Sequence, residues 1–220
     1  MTNFAKARRT MVDNQLRTND VTDLRILDAF DALPRELFVP RALAPLAYID
    51  EHLQVKAGPP PRYLMQPAPL ARLIQLAAVR PGEKVLVVGA GTGYAAALLA
   101  RLDAKVIALE SDPDLAAEAR KALAVAGAAD VEVVTGPLAE GVPAAAPFDV
   151  ILLDGSVEVL PESLGRQLAE GGRLVAVEGR GLAGKARIWI RTGDEISPRM
   201  AFNCAARPLP GFEKVPAFEF

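Results

Sequence analysis

An apolar run leads directly into a glycine-rich turn in Val85-Leu86-Val87-Val88-Gly89-Ala90-Gly91-Thr92-Gly93-Tyr94. The apolar residues predict a buried β-strand, and the residues after Gly93 predict the start of a helix. Glycine has no β-carbon, so a ligand can approach the backbone of such a turn closely. A turn with a purely structural role is the alternative interpretation, because short glycine motifs also occur without a ligand.

From Pro81 onward, short apolar runs alternate with helical patterns, which is typical of parallel strands joined by crossover helices. The pattern predicts an α/β, Rossmann-like fold with a mostly parallel sheet, helices on both faces and an antiparallel edge. The strands are predicted at Lys84–Val88, Lys105–Leu109, Val131–Val134, Val150–Leu153 and Leu174–Val177, and two edge strands at Arg187–Arg191 and Phe218–Phe220. The helices are predicted at Tyr94–Arg101, Asp114–Val125 and Glu162–Leu168.

Residues 1–78 have a different texture, with helical spacing of apolar residues and frequent prolines. We expect a helical N-terminal extension here and the Rossmann-like core in residues 79–220. Within the extension, residues 58–67 are rich in proline, which removes backbone donors and fixes local dihedral angles. We therefore expect a stiff loop, and neither helix nor central strand, at residues 58–67.

The composition argues against several classes of function, namely binding to nucleic acid or membranes, metal binding and histidine-based catalysis. The formal net charge of -2 gives no overall basic field, so we expect neither nucleic acid nor an anionic membrane as a partner. Cys204 and His52 are the single cysteine and histidine, which argues against a metal site or a histidine-centred triad. No run is long and apolar enough for a secretory signal or a membrane span, so we expect a cytoplasmic protein; the sequence does not indicate its oligomeric state.

Glu110 ends the next predicted strand, about 20 residues after the first glycine, where a carboxylate can accept both hydroxyls of a ribose. An exposed, solvated glutamate is the alternative. Tyr94 stands where a dinucleotide fingerprint needs Gly or Ala, and the turn lacks the Gly-Lys-Ser/Thr of a P-loop. S-adenosylmethionine, which carries a ribose but no phosphate, satisfies both observations.

Several ordered motifs accompany the turn over most of the chain. They are Met11–Arg17, Ile26–Phe30, Pro34–Pro40, Ala47–Asp50, Ala146–Ile151 and Leu168–Val175. In order and spacing they resemble those of the protein-L-isoaspartate O-methyltransferase family. The resemblance implies a class I methyltransferase fold and methylation, with S-adenosylmethionine, of the abnormal carboxylate of isoaspartyl residues in damaged proteins.

The resemblance also implies the site residues. A sulfonium is already activated and an ionised carboxylate needs no general base, so positioning is most of the catalytic work. Substrate binding falls to Tyr63, Met65 and Gln66, and the cofactor-binding residues are Gly89, Gly91, Thr92, Gly93, Tyr94, Glu110, Ser111, Gly136, Pro137, Leu138 and Asp154.

This sequence departs from the family at several of those positions. Met65 stands where the family's acceptor loop has a serine, and loss of that hydroxyl costs on the order of 1.5 to 3 kcal/mol. Pro137 stands for the aspartate expected to hold the adenine amine, and Val87 for an acidic residue before the turn. Arg62 and Tyr63 could recognise a peptide carboxylate, or be a solvated loop charge and a packed ring.

Asp154 and Ser156 follow the fourth strand, where the family has a small neutral turn, and we take both as candidate catalytic residues. An ionised Asp154 about 4 Å from an acceptor carboxylate would repel it by roughly 4 kcal/mol at an effective dielectric near 20. Asp154 could instead bind the cofactor's ammonium, act as a base or orienting group for a neutral nucleophile, or cap the next helix or turn. A methyltransferase with another acceptor and a cofactor-binding module without turnover therefore stay open as alternatives.

Overall fold

The computed structural model describes residues 3–214, which form helices and strands around one seven-stranded sheet and a separate two-stranded sheet. The strands are β1 Leu53–Lys56, β2 Arg62–Leu64, β3 Lys84–Val88, β4 Lys105–Glu110, β5 Glu132–Thr135, β6 Phe148–Val157, β7 Leu168–Glu178, β8 Lys185–Thr192 and β9 Glu195–Asn203. The α-helices are α1 Phe4–Met11, α2 Leu24–Ala32, α3 Pro67–Ala77, α4 Tyr94–Ala100, α5 Pro113–Val125 and α6 Glu162–Gly165.

The large sheet has the strand order β5-β4-β3-β6-β7-β8-β9. The strands β3 to β7 pair in parallel, and β8 and β9 add an antiparallel edge. This confirms the predicted fold class. The strand order reverses at β3, which pairs with β4 on one side and with β6 on the other. In such sheets, ligands bind in the crevice outside the carboxyl ends of the strands at this switch point.

The sheet separates two hydrophobic clusters. Side chains alternate across a strand, so Val85 and Val87 of β3 join one cluster while Leu86 and Val88 join the other. Burial on both faces explains why the strand reads as a continuous apolar run. The first cluster also contains much of the N-terminal part, including Phe30 of α2. The boundary between residues 78 and 79 stays a prediction.

Six of the seven predicted strands are confirmed in place, with shifted ends. The helix predicted at Glu162–Leu168 ends at Gly165, because Leu168 already pairs with Phe148 as the first residue of β7. The loop prediction for residues 58–67 is wrong in part. Arg62–Leu64 forms β2, which pairs with β1, since these residues follow Pro59–Pro61 and have free backbone donors. Pro67 begins α3, because proline is tolerated in the first turn of a helix.

The strand β9 was not predicted, because it is largely exposed and contains Pro198, which only an edge strand tolerates. The strand predicted at Phe218–Phe220 lies outside the described residues. Between residues 3 and 214, none of the helices combines the length and the apolar character that crossing a membrane requires. The same residues contain no group of three or more potential metal ligands.

Candidate functional site at the carboxyl ends of the strands

The glycine turn lies between the carboxyl ends of β3 and β4. Gly89, Gly91 and Gly93 have φ angles of 77°, 56° and 95°, a region that side-chain-bearing residues rarely adopt. The backbone N–H groups of Gly89 and Ala90 donate to the carbonyl of Leu109, at 2.9 and 3.0 Å, which fixes the turn against β4. These hydrogen bonds therefore place the glycine turn next to Glu110, the last residue of β4.

The carboxylate of Glu110 is completely buried and surrounded by donors. The N–H of Gly91 donates to Oε2 at 2.7 Å, and the N–H of Asp112 donates to Oε1 at 3.0 Å. Arg62 of β2, which is 5% exposed, pairs with both oxygens, with Nη2 at 2.8 Å from Oε2. The solvated-glutamate alternative is therefore wrong, and Arg62 is neither a solvated loop charge nor free for a peptide carboxylate.

Leu209 packs against the backbone at the switch point of the sheet. A β-carbon built on Gly89 would lie 2.5 Å from Cδ2 of Leu209, and one built on Gly155 would lie 2.6 Å from its Cγ. Leu209 therefore touches the glycine turn after β3 and, on the other side, the distal part of β6. Its side chain is 4% exposed.

These contacts decide whether an S-adenosyl group fits the residues as they stand. The turn and Glu110 have the expected arrangement, but Arg62 holds the carboxylate that would accept the ribose hydroxyls. Leu209 lies against the backbone that the ligand would approach. An adenosyl group does not fit this arrangement unless both side chains move.

Asp154 of β6 is a second buried carboxyl at the same edge of the sheet. Burial raises its pKa to about 7, although the charges of Arg35 and Arg62 lower it and the charge of Glu110 raises it further. Its Oδ1 has no hydrogen-bond partner among residues 3–214. The helix-cap alternative is wrong, because Asp154 lies inside β6 and the next helix has Pro161 at its N-cap.

The other predicted cofactor residues lie around Glu110 and the turn. Ser111 Oγ donates to Glu110 Oε1 at 3.4 Å, and the N–H of Gly136 donates to the Glu110 carbonyl at 3.1 Å. Pro137 and Leu138 follow Gly136 and begin a 3-10 turn. Thr92 and Tyr94 point elsewhere. The hydroxyl of Thr92 donates to the Phe38 carbonyl at 2.6 Å, and the ring of Tyr94 packs against Phe30 and Phe38.

The side chains predicted to bind or act on the acceptor are buried or contact other residues of the chain. Met65 is 3% exposed, and the amide of Gln66 donates to Asp50 Oδ1 at 2.8 Å. The ring of Tyr63 lies 4.8 Å from the guanidinium carbon of Arg207. Ser156 donates its hydroxyl to the Ala206 carbonyl at 3.2 Å. The roles assigned to these residues stay predictions.

Sequence reasoning missed two residues. Arg35 is fully buried, donates from Nη2 to the Met65 carbonyl at 2.6 Å, and has an Nη1 without a partner among the described residues. Arg35 lies within the Pro34–Pro40 motif that carries the family resemblance, and that position was a signal that could have identified it. Leu209 offered no such signal, since its contact with Gly89 spans most of the core.

Comparisons with known proteins show which family this chain is similar to. The family profile for protein-L-isoaspartate(D-aspartate) O-methyltransferase matches residues 6–194. A protein-L-isoaspartate O-methyltransferase of Koribacter versatilis is 44% identical over 175 residues, which cover 80% of this chain and 78% of that protein.

Two solved structures share the fold. A protein-L-isoaspartate O-methyltransferase has a TM-score of 0.80 at 26% identity, covering 92% of this chain and 66% of that one, slightly less than two thirds. A Plasmodium falciparum structure described as the same enzyme, in complex with S-adenosyl-L-homocysteine, has a TM-score of 0.75 at 19% identity, covering 91% and 96%. The profile match and the identity to the Koribacter protein, each over most of the chain, establish that it belongs to the protein-L-isoaspartate O-methyltransferase family.

Proposed function

We propose that this chain is an S-adenosylmethionine-dependent methyltransferase that methylates a carboxylate of damaged protein. One observation carries the proposal: the glycine turn after β3 and Glu110 at the end of β4 meet beside the switch point of the sheet. Both lie within the segment that matches the family. In this proposal the turn approaches the adenosyl group and Glu110 accepts its ribose hydroxyls once Arg62 and Leu209 have moved. We further propose that the enzyme works in the cytoplasm.

Asp154 bears on the acceptor. Asp154 repels an acceptor carboxylate only when it is ionised. Because burial raises the pKa of Asp154 to about 7, the group is largely protonated below that pH. A protonated carboxyl donates a hydrogen bond, and Oδ1 has no partner among residues 3–214. We assign Asp154 the role of orienting the acceptor carboxylate, with Ser156 holding the end of β6 in place.

An assay of methyl transfer to peptides tests the proposal. The chain, at high concentration, is incubated with S-adenosylmethionine carrying a labelled methyl group and a peptide with one isoaspartyl residue. A matched peptide with ordinary aspartate is the control. We expect a base-labile methyl ester on the isoaspartyl peptide alone. Absence of ester from both peptides would reject the repair activity.

A different acceptor is the second candidate, favoured by Met65. Its side chain is buried where the family has a serine, so no hydroxyl is available at that position. The same assay with other carboxylate-bearing peptides separates the two candidates. Ester formation on those peptides, but not on the isoaspartyl peptide, would favour the second.

A further inference from the structure

We propose that Arg62 and Leu209 form an intramolecular plug in the cofactor site, and that the cofactor binds only by displacing both. The inference rests on the proposed function for the identity of the ligand. In this proposal the chain closes its own cofactor site. The evidence comes from two separate parts of the chain, the strand β2 and the residues after β9.

The first part of the plug is the ion pair of Arg62 with Glu110. Arg62 reaches Glu110 through both terminal nitrogens and also donates from Nη2 to the carbonyl of Gly89, at 3.3 Å. Paired donors that match a carboxylate are stronger than single ones and fix its orientation. A ribose diol that hydrogen-bonds Glu110 must therefore compete with a charged, buried donor that is already in place.

The second part of the plug is Leu209, which is held in place by backbone hydrogen bonds between its own segment and β6. The strand β3 pairs with β6 only as far as Val88 and Leu153, so the edge of β6 beyond Leu153 is free of β3. The residues around Leu209 take up that edge. The N–H of Ser156 donates to the Arg207 carbonyl at 2.8 Å, and the N–H of Leu209 donates to the Ser156 carbonyl at 2.9 Å. The segment thus adds to the sheet at the switch point.

The segment around Leu209 lies outside the part of the chain that matches the family profile. The family profile matches residues 6–194, so Leu209 lies after the matched region. Gly89 and Gly155, which Leu209 touches, lie inside that region. The matched core therefore supplies the crevice, and a later part of the chain fills it.

There is room for the plug to open. A cavity of about 370 Å³ adjoins the ion pair, lined by Arg62 and Pro210 together with Lys56, Ser111 and Asp112. Arg62 lies on the short edge strand β2, and Pro210 follows Leu209 directly. Arg62 thus borders this space directly, and Leu209 adjoins it through its neighbour Pro210, so a displaced guanidinium has a space to enter.

A plug of this kind lowers the apparent affinity by the fraction of molecules that are open. Leu209→Ala should shift the equilibrium towards the open form. We expect its Kd for S-adenosyl-L-homocysteine, measured by calorimetry, to fall about tenfold or more below that of the wild type. The matched control is Leu164→Ala, which removes the same atoms from a fully buried position on α6, and its Kd should equal that of the wild type.

Arg62→Met is the second variant and should also bind more tightly, since it frees Glu110 while keeping the apolar stem. It costs more stability, so Leu209→Ala carries the test if Arg62→Met does not fold. A second measurement uses no ligand. Amide hydrogen exchange in residues 86–95, which contain the Gly91 N–H bonded to Glu110, should be faster in Leu209→Ala than in Leu164→Ala.

The outcomes separate the plug from the proposed function. A Leu209→Ala protein that binds no more tightly than the wild type, while the wild type binds, overturns the plug. If neither the wild type nor any variant binds S-adenosyl-L-homocysteine, the proposed function fails, and hydrogen exchange alone decides on the plug. Faster exchange in Leu209→Ala would then support it, and exchange equal to that of Leu164→Ala would overturn it.

Discussion

Two buried carboxyl groups at one edge of the sheet, Glu110 and Asp154, have opposite surroundings. Glu110 is paired with Arg62 and accepts two backbone N–H groups. The Oδ1 of Asp154 has no partner among residues 3–214, and burial raises its pKa to about 7. Both groups are less than a tenth exposed, so solvent access does not explain the difference.

A ligand must compete with Arg62 for hydrogen bonds at Glu110, whereas at Asp154 it can add a new hydrogen bond. At Glu110 every ligand contact replaces one that the chain already makes. The free energy of ligand binding is therefore reduced by the cost of displacing Arg62. At Asp154 a ligand oxygen would satisfy an atom that the fold leaves without a partner, and such atoms are costly to bury. The chain itself therefore closes the cofactor side of the site at Glu110. On the acceptor side, Asp154 has an oxygen to which a ligand can hydrogen-bond without displacing any residue.

The largest effect is expected from breaking the pair at Glu110. Arg62→Met leaves a buried carboxylate without its counter-ion, which should destabilise the fold by about 3 to 5 kcal/mol. Urea unfolding followed by circular dichroism measures the change. Adding Glu110→Gln to Arg62→Met should recover much of the loss, because the second change removes the unpaired charge. A loss no larger than that from Arg166→Ala, at an exposed pair with Glu162, would contradict the account.

The next effect comes from Asp154 and depends on pH. Its pKa rises from 3.8 to about 7 on folding, so the native state holds the proton more tightly than the unfolded state does. The stability from the protonated carboxyl is complete below about pH 4 and is lost as pH rises towards 7. Asp154→Asn keeps a neutral side chain at every pH. We expect it to be more stable than the wild type at pH 8 by on the order of 2 to 4 kcal/mol.

Unfolding at pH 4 and pH 8 checks this prediction. At pH 4 the two proteins should be nearly equally stable, since Asp154 is protonated in the fold and the pH is then close to its unfolded-state pKa of 3.8. An Asn variant that is equally less stable at both pH values would show that Asp154 is ionised in the fold. In that case the argument for a neutral orienting group at the acceptor fails.

The smallest effect is expected at Lys56, whose ammonium lies 3.0 Å from Asp114 and also contacts Asp112, next to the Glu110 pair. Lys56 and Asp112 are partly exposed and Asp114 is largely exposed, and ion pairs that solvent reaches contribute little to stability. Lys56→Ala should leave urea unfolding almost unchanged, in contrast to Arg62→Met a few residues away. A loss comparable to that of Arg62→Met would mean that burial does not separate the two pairs.

The sequence predicted the parts of the site that local patterns encode. The apolar run of β3, the glycines that follow and Glu110 at the end of β4 all lie within about 25 residues, and period and spacing identify them. Arg62 and Leu209 could not be predicted in this way. Their contacts join β2 and the residues after β9 to the same crevice, and no local pattern encodes a pairing across such distances. The raised pKa of Asp154 likewise depends on burial that only the assembled sheet provides.

A crystal structure of the wild-type chain with S-adenosyl-L-homocysteine tests the central claim most directly. The account predicts the adenosyl group at the carboxyl ends of β3 and β4, its ribose hydroxyls on Glu110, Arg62 withdrawn and Leu209 out of the crevice. A ligand bound elsewhere, or bound while Arg62 still pairs with Glu110, would contradict it.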